Sequence, residues 1–528
     1  MTPDTMGLVN QGRREAGGPT AVGATQASST NGGIPSAHGS DFLQLDAEDA
    51  PAGGKSAWLA GRLREAMADG RLTVGSSLPP TRVLAAELRV SRGVVAEAYR
   101  RLSEDGHLEG RRRGGTVVVA VPAVVSPTAP PGTGPSRPSA PSTAEKAAPG
   151  TLFVGEPGAD VFDMLRAIPA RIDFTPGRPD LTVFPRAAWL RAERTVLTEL
   201  SAENLGYGDP PGTPQLRRAI AGWLARTRGM RTDPDEVLVV AGTAQALTLL
   251  HPVLRADGID GVAVEDPGSL GIRQHLQNGA LATPPVPLDG DGVHVEALRA
   301  TGARSVLLTP AHQFPTGVVT SGERRRELLR WAQEGGLILE DDYDAEHRYD
   351  RPPVPALRGL LGDHVCYMGS VSKLLAPALR IGWVIPPRRH RGALIETKRF
   401  TDLGNAVLPQ LVLAHLMECG DLERHLRLLR GRHRRRRDAM IEAIAEHLPG
   451  AVVHGAAAGL HLTVTYRADV PDTELATAAL ARGVKCQPLS WHRQLPGPPG
   501  IVLGYAATPA GAIAEGVAIL GEALLGLA

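Results

Sequence analysis

The stretch Val365-Cys-Tyr-Met-Gly-Ser-Val-Ser-Lys373 reads as an apolar strand that ends in hydroxyl side chains and presents a lysine beyond them, with Arg380 seven residues on. Upstream, a second apolar run, Leu337-Ile-Leu-Glu340, ends in Asp341-Asp342-Tyr343. Further out, Val237-Leu-Val-Val-Ala241, Gly261-Val-Ala-Val264 and Ser305-Val-Leu-Leu-Thr309 have the same strand-like character, and helix-period stretches such as 244–254 and 323–333 separate them. Near-continuous apolar strands alternating with helices predict an α/β fold whose mostly parallel sheet is covered on both faces. Ligands of such sheets bind beyond the carboxyl ends of the strands. The chemistry-bearing residues fall there repeatedly.

A chain of 528 residues exceeds what one hydrophobic core supports, so two or three domains are expected. The expected division is a disordered tail over 1–51, a helical DNA-reading segment over 52–120, a Pro/Ala/Ser-rich linker over 121–168 and the α/β domain over 169–528. The tail has few large apolar residues and cannot offset its ordering entropy by burial. A flexible linker of about forty residues spans roughly 35 Å. Net charge is +1, so any affinity for nucleic acid must sit in a local patch. Cys366, Cys419 and Cys486 lack metal-site spacing and cannot form a disulfide framework, which fits a reduced, cytoplasmic setting. No apolar run approaches a membrane span and no leader pattern opens the chain, so no membrane partner is expected.

In the DNA-reading segment, Trp58 to Met67 is a first helix, Gly75-Ser-Ser-Leu-Pro-Pro80 a turn, Thr81 the cap of a helix over 82–88, and Ser91 the cap of a third reaching Leu102. Two helices joined by a short turn, the second with Arg at its N-terminal end, match the geometry that enters a major groove. After them, 104–119 reads as a two-strand wing with the basic tip Arg111-Arg112-Arg113-Gly114. Residues 52–120 hold twelve basic and seven acidic side chains, a patch of +5 that whole-chain neutrality hides. The basic runs 324–326 and 432–437 lie on helix-period stretches and are expected as solvated faces.

Pyridoxal phosphate (PLP) chemistry needs a lysine amine, an acid beside the pyridine nitrogen and an anchor for the phosphate. Lys373 is the Schiff-base candidate, Asp341 the pyridinium partner, and Tyr343 a donor to the ring's phenolic oxygen. Arg380, Ser370 and Ser372 supply charge-assisted and hydroxyl contacts to phosphate. The turn from strand to helix at Gly242-Thr243-Ala244 adds backbone amides at a positive helix end.

Leu78-Pro-Pro-Thr-Arg82, Leu84-Ala-Ala-Glu-Leu88, Val90-Ser-Arg92, Gly106-His-Leu-Glu-Gly110 and Gly115-Thr-Val117 closely resemble GntR-type winged helices. By that resemblance Arg82, Ser91 and Arg92 face double-stranded DNA, with Arg111 and Gly114 at the wing. Gly93-Val-Val95 stands where relatives carry polar residues, which argues against direct base readout there. Thr309-Pro-Ala-His-Gln-Phe-Pro-Thr-Gly317, Glu340-Asp-Asp-Tyr-Asp-Ala-Glu346, Gly369-Ser-Val-Ser-Lys373 and Leu379-Arg-Ile-Gly382 resemble the aminotransferase-like domain of MocR/GabR regulators, as do Leu205-Gly-Tyr-Gly-Asp209 and Ala458-Gly-Leu-His461. The resemblance implies a fold type I PLP domain with a smaller C-terminal α+β subdomain, in a head-to-tail homodimer where Tyr207 reaches the neighbouring subunit's cofactor phosphate. Three departures stand out. Ser269 follows Glu265-Asp-Pro-Gly268 where the family has Tyr, Ala244 replaces a polar residue in the phosphate turn, and Ile501-Val-Leu-Gly-Tyr505 has no arginine where aminotransferases clamp a carboxylate. Arg273, Arg482 and Arg493 are the alternative carboxylate holders.

These features imply a PLP-dependent transcriptional regulator that senses PLP itself, or an amino-compound effector, through an aldimine on Lys373. The alternative is a working aminotransferase with a DNA-binding appendage. The missing clamp favours sensing over turnover.

Overall fold

The computed structural model describes residues 50–51, 54–69, 71–111, 115–119, 152–349 and 354–528. Helices Lys55–Ala68, Thr81–Glu87 and Arg92–Glu104 pack on a small core of Leu59, Leu63, Leu84, Val95 and Leu102. Leu59 and Leu63 are one helical turn apart and Val95 and Leu102 two, so each helix turns one apolar face inward. Ser91 caps the third helix, its Oγ accepting from the Val94 N–H at 3.4 Å. Thr81 does not cap the second: Pro80 holds that position, extended by its fixed φ, and Thr81 is the first helical residue. The expected two-strand wing is a three-strand sheet. Leu108–Arg111 pairs with Gly115–Val118, which also pairs antiparallel with Ser77–Leu78 from the inter-helix turn. Gly114 lies outside the described residues.

The large domain is an eight-stranded sheet in the order Leu238–Val240, Gly382–Ile385, Val365–Ser370, Leu337–Asp342, Ser305–Leu308, Ala263–Asp266, Pro285–Asp289, Gly292–Val293. Gly382–Ile385 runs antiparallel to both neighbours and Gly292–Val293 closes a hairpin; the pairs from Val365–Ser370 through to Pro285–Asp289 are parallel. Both central strands are buried at every position. On one face Leu247 and Leu250 of helix Thr243–Ala256 meet Leu339, Cys366 and Met368. On the other, Leu328 and Trp331 of helix Gly322–Gln333 meet Ile338 and Val365.

The C-terminal subdomain has a four-stranded sheet, Val452–His454, His461–Thr465, Gly500–Gly504 and Gln487–Pro488, backed by helices Asp421–His447 and Ala510–Leu527. A separate parallel pair joins Ile172–Asp173 to Val484–Lys485. Helix Ala510–Leu527 corrects one expectation: it is long and apolar enough, by length and composition, to cross a membrane. Its Ile513, Val517 and Leu520 are instead fully buried in this subdomain's core. The basic runs are corrected too. Arg325 is buried over the Thr320, Pro355 and Pro310 carbonyls to which it donates, and Arg432, Arg436 and Arg437 are buried because the long helix Asp421–His447 is packed on several sides.

Candidate functional site

A cavity of about 770 Å³ opens at the carboxyl ends of Leu337–Asp342 and Val365–Ser370. Lys373, Asp341, Tyr343, Ser370, Ser372, Arg380, Thr243 and Ala244 all line it. Tyr207 is not among the lining residues; its side chain stands 96 % exposed.

Side chains alternate along a strand, so Asp341 faces away from Glu340 and Asp342. Those two are well served. Glu340 accepts from the Leu357 and Arg358 N–H groups at 2.9 and 3.0 Å, and Asp342 from Arg228 Nε and the Tyr367 hydroxyl at 2.5 and 2.6 Å. Asp341 accepts from the Thr243 hydroxyl at 3.3 Å. Burial, and then the neighbouring Asp342, push its carboxyl up to about 7. A buried carboxyl with so weak a donor is stabilised as an anion by a cationic ring N–H.

Lys373 Nζ donates to the Gly177 carbonyl. A Cβ on residue 177 would lie 3.1 Å from that amine, and φ there is +76°, so the approach requires glycine. Burial holds the Lys373 amine below its ordinary value, against the pull of Asp344 and Asp341. That favours the neutral form, the form that attacks a carbonyl carbon.

At Gly242, φ +86°, strand Leu238–Val240 turns into helix Thr243–Ala256, whose first amides have no intrahelical partner. Arg380 sits against this turn, with Nη2 donating to the Ala241 carbonyl. Its Nη1 is 3.5 Å from where a Cβ on residue 242 would stand. Gln245 braces the turn from behind, accepting from the Ala241 N–H at 2.7 Å and donating to Asp402 at 2.6 Å. The Tyr343 hydroxyl and Asp344 both lie 3.0 Å from His312 Nδ1. Burial, with Asp344 and Asp341, keeps the Tyr343 phenol protonated.

None of the three expected carboxylate holders lines the cavity. Arg273 donates to the Trp491 carbonyl at 3.1 Å, Arg493 to the Pro498 carbonyl at 2.6 Å, and Arg482 is exposed at the end of helix Asp472–Ala481. Ser269 does line it, and caps helix Leu270–Asn278. Sequence reasoning missed the cations that face this space, Arg166, Arg178 and Lys485. Arg178 lies in Gly177-Arg-Pro-Asp180, a turn-like stretch with no periodicity, and Lys485 in a two-residue strand too short to show any.

At the winged helix, Arg82, Ser91 and Arg92 are exposed, and Arg92 Nε donates to the Thr81 hydroxyl at 3.4 Å, drawing two helix starts together. Arg111 ends strand Leu108–Arg111. A short chain of contacts, centred on one carboxylate and its two arginines, links the two sites. Buried Asp180 accepts from Arg432 Nε at 3.0 Å and from Arg436 Nη1 at 2.8 Å. Arg432 also donates to the Ser103 carbonyl in the last turn of the third winged-helix helix, at 3.3 Å. Arg435 pairs with Glu104 at 3.5 Å, and a Cβ on Gly106 would stand 2.8 Å from the Thr182 hydroxyl.

Residues 56–118 match the family of bacterial regulatory proteins, gntR family, and residues 172–497 match aminotransferase class I and II. The chain is 33 % identical over 471 residues to the probable rhizopine catabolism regulatory protein MocR of Rhizobium meliloti, covering 88 % of this chain and 93 % of that one. This chain belongs to the MocR-type regulators. Another such relative, the pyridoxine biosynthesis transcriptional regulator PdxR of Corynebacterium glutamicum, is 28 % identical over 85 % of this chain and 91 % of its own length. Among solved structures, the α-aminoadipate aminotransferase LysN of Thermus thermophilus, complexed with N-(5'-phosphopyridoxyl)-L-leucine, is 28 % identical with a TM-score of 0.63, over 73 % of this chain and 99 % of that one. This MocR-type protein is therefore a transcriptional regulator that pairs a gntR-family DNA-binding domain with an aminotransferase-like domain, and its cofactor is pyridoxal phosphate.

Proposed function

We propose that the winged helix grips DNA with a strength set by what occupies the cavity around Lys373. The observation that carries this reading is the short path between them. The strap Gly177–Thr182 accepts from the Lys373 amine at Gly177, binds Arg432 and Arg436 at Asp180, and abuts Gly106 at Thr182. Arg432 completes the path at Ser103. Any ligand that draws the Lys373 amine away from Gly177 acts on a segment that is three residues from the buried ion pair.

When bound, pyridoxal phosphate supplies an aldehyde that condenses with a primary amine and a ring that withdraws electrons. In this reading Lys373 is the amine that holds it, Asp341 meets the ring nitrogen and Tyr343 the phenolic oxygen. Arg380, Ser370, Ser372 and the amides of Thr243 and Ala244 seat the phosphate. The signal is PLP itself or an amino compound that joins it. Turnover forms no part of the reading, because strand Gly500–Gly504 is buried and carries no arginine.

The proposed form is a head-to-tail homodimer, working in the cytoplasm with one reading head per subunit. Its support is Tyr207, an aromatic ring left almost wholly in water by a single chain. Arg82, Ser91 and Arg92, with Arg111 and Gly114 at the wing, are the proposed DNA contacts, within the proposed boundaries 52–120. A linker from 121 is proposed to join them to the aminotransferase-like domain; the boundary expected at 168 lies earlier, because Leu152, Phe153, Val161 and Leu165 are already buried in that domain's core, and 1–51 are the proposed tail.

The test is an electrophoretic mobility shift on DNA upstream of the chain's own gene, with and without PLP and a panel of amino acids. Affinity should change with occupancy in the wild type and stay constant in Arg432→Met. An affinity that ignores PLP and every amine, or keto-acid production at an ordinary aminotransferase rate, would overturn the proposal.

A further inference from the structure

Resting on that reading, we infer that the Lys373 cavity contains an anion subsite made by Arg178 and Lys485, so that the effector is an amine that also carries a carboxylate. The parallel pair of Ile172–Asp173 with Val484–Lys485 sets Asp173 and Lys485 opposite each other in register. Asp173 pairs with Arg178, and its Oδ2 lies 3.8 Å from Lys485 Nζ. All three residues line the cavity that holds Lys373. Two cations thus share one carboxylate, so these three side chains together carry one positive charge in excess. Arg166, another cation of the wall, pairs with Asp163.

Lys485 makes the imbalance costly. Its side chain is 4 % exposed, and beyond the shared carboxylate it donates to the Ile168 carbonyl. Burial holds its amine below the ordinary lysine value, with Asp173 opposing. A buried ammonium that must share a carboxylate gains from any further anion that reaches it. Arg178 is half exposed and is adjacent to Gly177, whose carbonyl receives the Lys373 amine. A ligand spanning both groups would therefore touch the strap Gly177–Thr182 at the point where its lysine contact is made. The geometry also says why the strand Gly500–Gly504 can dispense with arginine: the charge enters from Arg178 and Lys485 instead.

The experiment has two arms on the full-length chain. In the first, PLP-loaded protein is titrated with a series of ω-amino carboxylates and with n-alkylamines of equal length, read by the change in the cofactor's visible absorption. The carboxylates should bind about tenfold or more tighter, the worth of one charge-assisted hydrogen bond. Lys485→Met and Arg178→Gln should erase that preference while leaving the alkylamines unaffected, and Asp173→Asn should enlarge it. In the second arm glutarate, which has no amine, is titrated calorimetrically without cofactor. Its binding should be lost in Lys485→Met. Equal affinity for carboxylates and alkylamines in the wild type, or a preference that survives both substitutions, would overturn the inference. Glutarate binding with DNA affinity unmoved by any amine would sink the sensing proposal and leave the subsite standing. The converse result would do the opposite.

Discussion

The winged helix and the cofactor cavity use charge in opposite ways. Arg82 and Arg92 stand in water, tied down among the described residues at most by a hydroxyl. Asp341, Asp180, Arg432 and Arg436 are buried, and Lys373 lies largely withdrawn from solvent. Charges in water are screened within about 8–10 Å at physiological salt, so the DNA face should answer to ionic strength. Buried charges are little screened but strongly displaced in proton affinity, so the cavity should answer to pH. A regulator divided this way receives its chemical signal where salt cannot blur it and delivers its output where a polyanion can be met.

The sharpest way to break that division is Lys373→Ala. The visible absorption of PLP-soaked protein should vanish entirely; a surviving band would remove Lys373 from its role. Next comes Asp180→Ala, which strands two buried guanidinium groups. The expected loss is about 3–5 kcal/mol in a urea melt of the whole chain, the cost of breaking a buried pair on one side. Wild-type stability in this variant would show that the path between the sites carries little energy. Smaller again is Arg92→Ala, expected to weaken DNA binding by roughly tenfold and to lower the slope of log affinity against log salt by about one. An unchanged slope would mean that Arg92 meets no phosphate.

A separate effect is in pH. Asp341 has an ordinary value of 3.8 and is raised to about 7 in the folded chain. Between those values the folded state holds a proton that the unfolded state has released. Its contribution is therefore fullest below about pH 4 and falls as pH rises toward 7, by about 1.4 kcal/mol per pH unit. Buried Glu265 and Glu346, each pushed up to about 7, add the same sign. Asp341→Asn should flatten part of this slope in cofactor-free protein, and a slope identical to wild type would refute the assignment.

What the sequence disclosed tracks what burial does to composition. Strands buried on both faces are apolar until they reach the site, so Leu337-Ile-Leu339 and Val365-Cys-Tyr-Met368 stood out as apolar runs that break off in Glu340-Asp-Asp342 and Ser370. The lysine, the two serines, Asp341 and Arg380 were legible because they follow such strands directly. Gly382–Ile385 offers the same kind of run, yet nothing local distinguishes an antiparallel strand from a parallel one. Arg432 and Arg436 were misread as solvated because helix periodicity shows a face but not what covers it. Here the cover is Asp180, more than 250 positions away. Lys485 and Arg178 were invisible for the same reason. Their meaning lies in Asp173, set against Lys485 by a pairing across more than 300 residues.

Arg380 carries a last consequence. Its backbone sits at φ +52°, ψ +46°, a left-handed geometry that costs an ordinary L-residue about 1–2 kcal/mol. The chain endures that tension at the spot where a guanidinium must lean over the turn at Gly242. Glycine at 380 would relax the backbone and raise the melting temperature, while the cofactor would wash out on dialysis. Durability and grip pull in opposite directions at this one residue, and the molecule has settled on grip.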